Sequence, residues 1–316
     1  MIVNTSKISI GLPIYNGERF LRSKLNSILN QTYSNFELII SDNGSTDNTE
    51  SICNEFALKD NRIKYFRHLK NNGVTWNFNF VLEKANCDYF MWTAVDDVIL
   101  PQFIENNLKI FQNTKNYVAS ICKIQSYEPD DEKINSSKNE IEYSKLMKKL
   151  RNKTRSRTIL PIEGTFESKT RLYLKKCSCQ SIYSIFKTDV LKNSLVKNSF
   201  LGNDWAIFLN VLKFGDLAVN DEILMYEYER GASGKGIISI SKQFNFGKTG
   251  TIFPWFPLTK WFVKNLGLIS FVKNLDYFLL LQIEGLFSLF IDIFKSELNK
   301  NKSKSNNLSN SRDKHE

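Results

Sequence analysis

Short β-rich runs and helical patterns alternate along the first 124 residues, and this rhythm constrains the fold more than any other feature of the chain. Apolar side chains alternate from Ile8 to Ile14, as in a strand, and then recur at helical spacing from Leu21 to Leu29. Further strand-like runs begin at positions 36, 63, 88 and 117, with helical patterns between most of them. The alternation predicts an α/β fold in which helices cover a largely parallel sheet.

The same pattern predicts one large domain over residues 1–235. Its first half, 1–124, gives way to a polar and charged segment at 125–158, which we interpret as a flexible loop, and periodic order returns over 159–235. A chain of 316 residues with 42% hydrophobic side chains can bury a core of this size. The second half carries three further predicted elements: a strand over 182–186, a helix over 205–212 and a strand over 223–228.

The C-terminal residues differ in composition from this domain. Aromatic residues alternate with lysines over 244–262, and charges within 270–295 prevent an uncharged span of 18 residues. These charges share one sector of a helical wheel and leave a wide apolar face. We predict an aromatic, amphipathic helical extension over 236–298 and a disordered polar tail over 299–316. The apolar face suits the membrane interface, and packing on the domain or on a second copy is the alternative.

Charge and cysteine usage limit the partners and the compartment. A net charge of +10 favours anionic partners, whether nucleotide phosphates, nucleic acid or an acidic membrane surface. Five scattered cysteines include no pair of C-x-x-C motifs, and the first nine residues lack a secretory signal pattern. These features predict reduced thiols and a cytoplasmic location.

Polar motifs follow three of the predicted strands. The first strand ends in Pro13 to Glu18, the second in Asp42 to Asp47, and the fourth leads to Asp96-Asp97. Ligands of open α/β sheets bind at the carboxyl ends of strands, so these motifs are expected to share one cleft. Adjacent carboxylates repel each other and need a cation or water, and hard cations prefer oxygen ligands. An acidic pair in a turn also has a capping interpretation.

The motifs, taken in order, resemble glycosyltransferase family 2, whose GT-A fold begins with a strand ending in P-x-Y-N and a second strand ending in D-[ND]-x-S-x-D. This chain has Pro13-Ile14-Tyr15-Asn16 and Asp42-Asn43-Gly44-Ser45-Thr46-Asp47, then Asn72-Gly73, Asp96-Asp97 and Asn203-Asp204. The resemblance covers residues 7 to 233. It implies a GT-A type, Rossmann-like αβα sandwich with a mostly parallel sheet, to which the C-terminal helical extension is added.

For the donor, the resemblance implies that Pro13, Tyr15 and Glu18 line a nucleotide pocket and that Asp42 hydrogen-bonds a uracil or thymine ring. Arg230, in a segment similar to the closing Y-x-R of the family, would contact the diphosphate. The residues alone leave alternatives open: Tyr15 suits core packing, Asp42 suits helix capping, and Arg230 suits a solvated turn.

For the chemistry, the resemblance implies that Asp97 holds a divalent cation, Mn²⁺ or Mg²⁺, against the diphosphate, and that Asp96 contacts the ribose or the metal. Asp204 would be the base that deprotonates the acceptor hydroxyl, although it also suits a helix cap. Two positions depart from the family pattern. Ala94 stands where D-x-D-D has its first acid, and Asn203 replaces a common Glu.

The resemblance therefore implies an inverting glycosyltransferase. It would transfer a sugar from a UDP- or dTDP-linked donor to a glycan or lipid-linked acceptor in surface polysaccharide biosynthesis. Its expected place is peripheral, on the inner face of the cytoplasmic membrane, and nucleic acid is not an expected partner. The alternatives are a non-catalytic sugar-nucleotide or glycan binder of the same fold and a nucleotidyltransferase, whose usual Gly-rich phosphate loop is missing after the first strand.

Overall fold

The computed structural model describes residues 6–112, 116–127, 158–228, 238, 241 and 252–312, with side chains described as far as residue 293. The chain divides into two compact units, Met1–Gly231 and Ala232–Glu316. Most of the loop predicted at 125–158 lies outside the described residues.

The first unit is built on an eight-stranded sheet in the order β3-β2-β1-β4-β7-β6-β8-β5. Its strands are β1 Ile8–Ile14, β2 Phe36–Asp42, β3 Ile63–Arg67, β4 Tyr89–Trp92, β5 Val98–Ile99, β6 Tyr117–Tyr127, β7 Ile185–Lys187 and β8 Asp216–Tyr228. Strands β7 and β5 run antiparallel to their neighbours, and the other six share one direction. This architecture confirms the α/β fold with a mostly parallel sheet.

Helices flank this sheet. In the part of the chain that the structure describes, they are α1 Glu18–Leu29, α2 Thr49–Lys59, α3 Val74–Lys84, α4 Phe103–Ile110, α5 Phe166–Lys176, α6 Thr188–Ser194 and α7 Asn203–Val211, with a 3₁₀ helix over Cys179–Tyr183. Every residue of β1 and β2 is buried, as expected for central parallel strands covered on both faces. Helix α1 contributes Leu21, Leu25 and Ile28 to the same core, as its spacing predicts.

The strand directions bring distant parts of the chain to one edge of the sheet. Ile14 is paired with Asp42 at the ends of β1 and β2, and β6 and β8 run in the same direction as these strands. Short β5 pairs with β8, so that Val98 lies opposite Tyr226. The turn between β4 and β5, which carries the acidic pair, is therefore fixed beside the carboxyl end of β8.

The second half of the domain departs from its predicted elements. Where a strand was expected over 182–186, a 3₁₀ helix precedes a strand that begins only at Ile185. Serines explain the difference, because Ser178, Ser181 and Ser184 bond nearby main-chain groups and favour a tight turn over a ladder. Strand β8 also begins at Asp216, seven residues before the predicted start at 223.

Within its described residues, the second unit has the helices α8 Phe256–Leu266, α9 Leu268–Lys273 and α10 Leu275–Arg312. Phe278 packs against Phe262 and Phe271, with ring centroids 4.8 and 5.2 Å apart. Helical backbone continues through most of the tail that was expected to be disordered. Extending a formed helix avoids the cost of nucleation, so a polar end can follow an apolar stretch. Among the described helices, none combines the length and apolarity needed to cross a bilayer.

Candidate functional site

The loops that follow β1 and β2 are interlocked by hydrogen bonds between side chains and main chain. Asn16 adopts a left-handed backbone conformation with φ 51°, and its Oδ1 accepts from Thr46 N at 2.8 Å. Asparagine is one of the few non-glycine residues suited to that conformation. Three further bonds run between the loops: Asn16 N to Ser45 Oγ at 2.8 Å, Gly17 N to Thr49 Oγ1 at 3.0 Å and Glu18 N to Asp47 Oδ2 at 3.0 Å.

The expected pocket residues on the first loop differ in their exposure. Pro13 is buried within β1, whereas the Tyr15 side chain is 47% exposed and Glu18 is exposed. Glu18 Oε2 accepts from Asn48 N at 3.1 Å, at the start of the second helix. Packing in the core, the alternative considered for Tyr15, does not fit this exposure.

Asp42 is completely buried at the end of β2, and both of its carboxylate oxygens are engaged. Oδ1 accepts from Ser45 N at 2.8 Å, and Oδ2 accepts from the Tyr65 hydroxyl at 2.9 Å. Burial and the hydrogen bond to Asp42 raise the pKa of Tyr65, so the phenol stays a donor. The carboxylate is thus held in one orientation, and its bond to a base remains a prediction.

Asn43 ties the end of β2 to the loop before α3. Its Nδ2 donates to Asn71 Oδ1 at 2.9 Å, and its Oδ1 accepts from Asn72 N at 2.9 Å. Gly44 follows with φ +77°, and a Cβ there would lie 2.8 Å from the main-chain carbon of Lys70. Only glycine allows this close approach, so the D-N-G sequence closes the loop around the strand end.

The acidic pair lies in a turn that other elements hold by hydrogen bonds. Asp97 is 4% exposed, and its Oδ1 accepts from Tyr228 N at 3.1 Å, at the end of β8. Lys24 Nζ, from α1, donates to the Asp97 carbonyl at 2.9 Å, and the Tyr127 hydroxyl donates to the Asp96 carbonyl at 2.8 Å. Asp96 itself is half-buried.

Burial and neighbouring charges act in opposite directions at this turn. Burial raises the pKa of Asp97, the Lys24 ammonium lowers it, and the charge of Asp96 raises it. Burial lowers the pKa of Lys24 while both carboxylates oppose that effect. The pKa of Asp96 is raised, chiefly by burial. A cation bound at this turn would therefore stabilise the ionised forms of both acids.

The donor set fits a cation that is shared with a substrate. No cluster of three or more acidic, His or Cys side chains suited to a metal occurs within the described residues. Asp97 Oδ2 is buried without a hydrogen-bond partner in that same part of the chain. Mg²⁺ is commonly bound by one or two carboxylates plus substrate phosphates, which matches this pair.

Asp204 lies in the first turn of α7, where an acid also stabilises the helix dipole. The loop before α7 is linked to the start of α3 by a hydrogen bond from Thr75 Oγ1 to Ser199 Oγ at 3.0 Å. Asn203 Nδ2 donates to the Val196 carbonyl at 3.1 Å and steadies that loop. Arg230 lies outside the described residues, two positions after the end of β8.

Sequence reasoning missed two groups that hold the site, Lys24 and Tyr65, and it named Asn43 as part of the second motif without assigning it a role. A signal existed for Lys24, because it lies at the i+3 position between Leu21 and Leu25 on the apolar face of α1. A charged residue in a buried stripe indicates a buried partner.

The sequence of this chain is similar to parts of known glycosyltransferases. Glycosyltransferase GlyG of Streptococcus pneumoniae is 32% identical over 124 residues, which is 39% of this chain and 40% of that protein. An uncharacterized glycosyltransferase of Haemophilus influenzae is 42% identical over 106 residues, or 34% of this chain and 42% of that protein. The matched stretches thus span less than half of these two curated relatives.

Two solved structures share the fold at low sequence identity. S. aureus TarS 1-349 in complex with UDP-GlcNAc is 17% identical with a TM-score of 0.55, over 87% of this chain and 81% of that one. The mannosyltransferase PcManGT of Pyrobaculum calidifontis, in complex with GDP-Man and Mn²⁺, is 13% identical with a TM-score of 0.54, over 94% and 76%. These similarities support the GT-A type fold expected from the motifs.

The family assignment rests on a direct match of the sequence. The model of "Glycosyl transferase family 2" matches residues 9–178, which is more than half of the chain. The match contains β1 from its second residue, the β2 motif and the acidic pair. The chain therefore belongs to glycosyl transferase family 2.

Proposed function

We propose that this chain is an inverting glycosyltransferase that uses a UDP- or dTDP-linked sugar donor. The acceptor would be a hydroxyl of a glycan or lipid-linked glycan in surface polysaccharide biosynthesis. The observation that carries the proposal is the convergence of the β1, β2 and acidic-pair motifs at one edge of a GT-A type sheet. Proteins of this fold include ones solved with UDP-GlcNAc and with GDP-Man.

The donor would occupy the edge where β1 and β2 end. Asp42 would accept from the base N–H, and its fixed orientation reduces the ordering cost of that bond. Pro13, Tyr15 and Glu18 would line the nucleotide, with the exposed Tyr15 ring free to cover it. Arg230 would reach the diphosphate.

A bound Mn²⁺ or Mg²⁺ would supply Lewis-acid stabilisation of the charge that grows on the departing diphosphate. Asp96 and Asp97 would hold it. Because Asp96 is half-buried and Asp97 is almost inaccessible, we propose Asp96 as the ligand that meets the substrate and Asp97 as the acid behind it.

Asp204 would take the proton from the acceptor hydroxyl as that oxygen attacks the anomeric carbon. A single base opposite the leaving group permits one displacement, and one displacement inverts the configuration. General bases act through hydrogen-bond reach to the proton that they remove. Asn203, in place of the usual Glu, removes a charge beside this base.

Ala94 and Asn203 support the second candidate, a non-catalytic sugar-nucleotide or glycan binder, because both replace acids of the family pattern. Turnover of a nucleotide sugar, measured as release of the free nucleoside diphosphate, separates this candidate from an enzyme.

Calorimetric titration of the purified protein with UDP, dTDP and GDP, with and without Mn²⁺, tests the donor site. We expect metal-dependent binding of a pyrimidine nucleotide. Replacing Asp42 by Asn should weaken it about tenfold, because a charge-assisted hydrogen bond to the base is lost.

Asp60→Asn is the matched control for this titration. Asp60 lies just before the start of β3, whereas the donor would bind where the parallel strands end. Its Oδ2 lies 2.7 Å from Arg62 Nη2. The control should bind like the parent chain. Tighter binding of GDP than of either pyrimidine nucleotide would contradict the proposed donor, and no nucleotide binding at all would contradict the proposed function.

We also propose that the second unit contacts the cytoplasmic face of the membrane peripherally. Apolar side chains are exposed along one face of α10: Leu275, Leu279, Leu280, Ile283, Leu286, Phe287, Phe290 and Ile293. Residues 232–316 carry twelve Lys and Arg against six Asp and Glu. An apolar helix face within a basic segment suits an anionic lipid surface.

Flotation with vesicles tests this contact. The chain should float with vesicles that contain anionic phosphatidylglycerol, and Ile283→Glu/Phe290→Glu should abolish flotation, because two charges on the apolar face oppose insertion. Leu58→Glu, at an exposed apolar position in the first unit, is the control and should float normally. A parent chain that stays unbound, or a double variant that floats equally well, would contradict membrane contact.

A further inference from the structure

Helix α1 directs one lysine into the interior of the first unit. The buried face of α1 consists of Leu21, Lys24, Leu25 and Ile28, and Lys24 is only 2% exposed. Removing an ammonium group from water is costly unless the charge is paired and hydrogen-bonded. The position of Lys24 therefore needs a compensating interaction.

That interaction is with the acidic turn. Lys24 Nζ donates to the Asp97 carbonyl oxygen at 2.9 Å, so the ammonium lies against the turn that carries the Asp96 and Asp97 carboxylates. The carboxylate of Asp97 is buried as well, with Oδ1 accepting from Tyr228 N. Two carboxylates and one ammonium thus belong to or contact the same turn, with a formal excess of one negative charge.

The second residue to consider is Ala94, where the family pattern D-x-D-D has an acid. The missing acid makes the turn less negative, and the positive charge of Lys24 reduces the negative charge further. A divalent ion at this turn would meet less negative charge than two unpaired carboxylates provide. The Coulomb energy between charges a few ångströms apart in protein is large enough to change ion affinity severalfold.

We propose that Lys24 is an internal counter-ion of the acidic turn. It acts as a positioning residue that keeps Asp97 buried and the turn folded when no divalent ion is bound, and it lowers the affinity of the turn for that ion. The inference deepens the proposed function, because its metal part rests on the cation site assigned to Asp96 and Asp97. Its stability part rests on the contacts alone.

The test uses Lys24→Met, which removes the charge and keeps an unbranched side chain. Thermal unfolding is followed with and without Mn²⁺, and Mn²⁺ binding is measured by electron paramagnetic resonance without nucleotide. We expect a lower melting temperature without metal, a larger gain on adding Mn²⁺ than in the parent chain, and Mn²⁺ affinity tighter by about tenfold.

A second variant covers the case in which Lys24→Met does not fold. In Lys24→Met/Asp97→Asn both charges are removed, so the double variant should fold and melt closer to the parent chain than Lys24→Met does. Such rescue is a coupling that a purely steric role of Lys24 would not produce. Arg22→Met is the control, since Arg22 is an exposed cation on the same helix.

Arg22→Met should leave Mn²⁺ affinity unchanged. The proposal is overturned if Lys24→Met melts like the parent chain, or if it is destabilised but neither Mn²⁺ nor Asp97→Asn restores stability. Unchanged Mn²⁺ affinity in Lys24→Met would also overturn it. Failure of the proposed function would be seen separately, as absence of nucleotide binding by the parent chain.

Discussion

An Asp204→Asn variant is expected to release nucleoside diphosphate from its donor about 10²–10⁴ times more slowly than the parent chain, because the acceptor hydroxyl loses its general base. Nucleotide affinity should change little, since none of the proposed donor contacts lies on α7. The measurement is steady-state turnover with the donor found by titration, together with calorimetric binding of the nucleotide to the variant.

The competing interpretation of Asp204 is an acid that merely stabilises the first turn of α7. Asp189→Asn is a matched control, because Asp189 is the acid in the first turn of α6. Loss of a favourable helix-dipole interaction lowers stability by about 0.3–1 kcal/mol without touching chemistry. If Asp204→Asn shows only this small loss of stability and full turnover, Asp204 is a structural acid and another group is the base.

The local pattern of apolar residues was sufficient to predict those strands and helices that are specified by their own residues. Strands β1 and β2 are buried on both faces, so their apolar runs are long enough to identify. The motifs that follow them were placed correctly at strand ends for the same reason. The 3₁₀ helix that ends at Tyr183 was not predicted, because it is held by hydrogen bonds of serine side chains, and these leave no periodic pattern of apolar residues in the sequence.

Contacts between distant segments could not be read from local pattern. Tyr228 N bonds Asp97 Oδ1 across 131 positions, and Lys24 bonds the Asp97 carbonyl across 73. The first depends on the strand order, which places β8 beside β5, and the second depends on the packing of α1 next to β5. The sequence indicated that Asp96 and Asp97 occupy a turn, but their different burial arises from these long-range contacts.

This difference in burial gives the two acids separate roles in the proposed site. One carboxylate oxygen of Asp97 accepts from the main chain of β8, and the Asp97 carbonyl accepts from Lys24 Nζ. The main effect of Asp97 is therefore on the stability of the folded turn. Asp96 is more exposed, and its carbonyl rather than its carboxylate is bonded to Tyr127. The cation and the diphosphate would therefore meet Asp96 first.

Asp96→Asn should accordingly abolish Mn²⁺ binding and reduce turnover about 10²–10³-fold, because the charge on the leaving diphosphate loses its Lewis acid, an effect comparable to removing a transition-state hydrogen bond. The melting temperature of Asp96→Asn should stay close to that of the parent chain.

Asp97→Asn should weaken Mn²⁺ binding less than Asp96→Asn does. It should also lower the melting temperature more, because Lys24 then stays buried beside a turn with a single acid. Paramagnetic resonance of Mn²⁺ and thermal unfolding measure the two effects independently. Loss of Mn²⁺ binding in Asp97→Asn with binding retained in Asp96→Asn would reverse the assignment and make the buried acid the metal ligand.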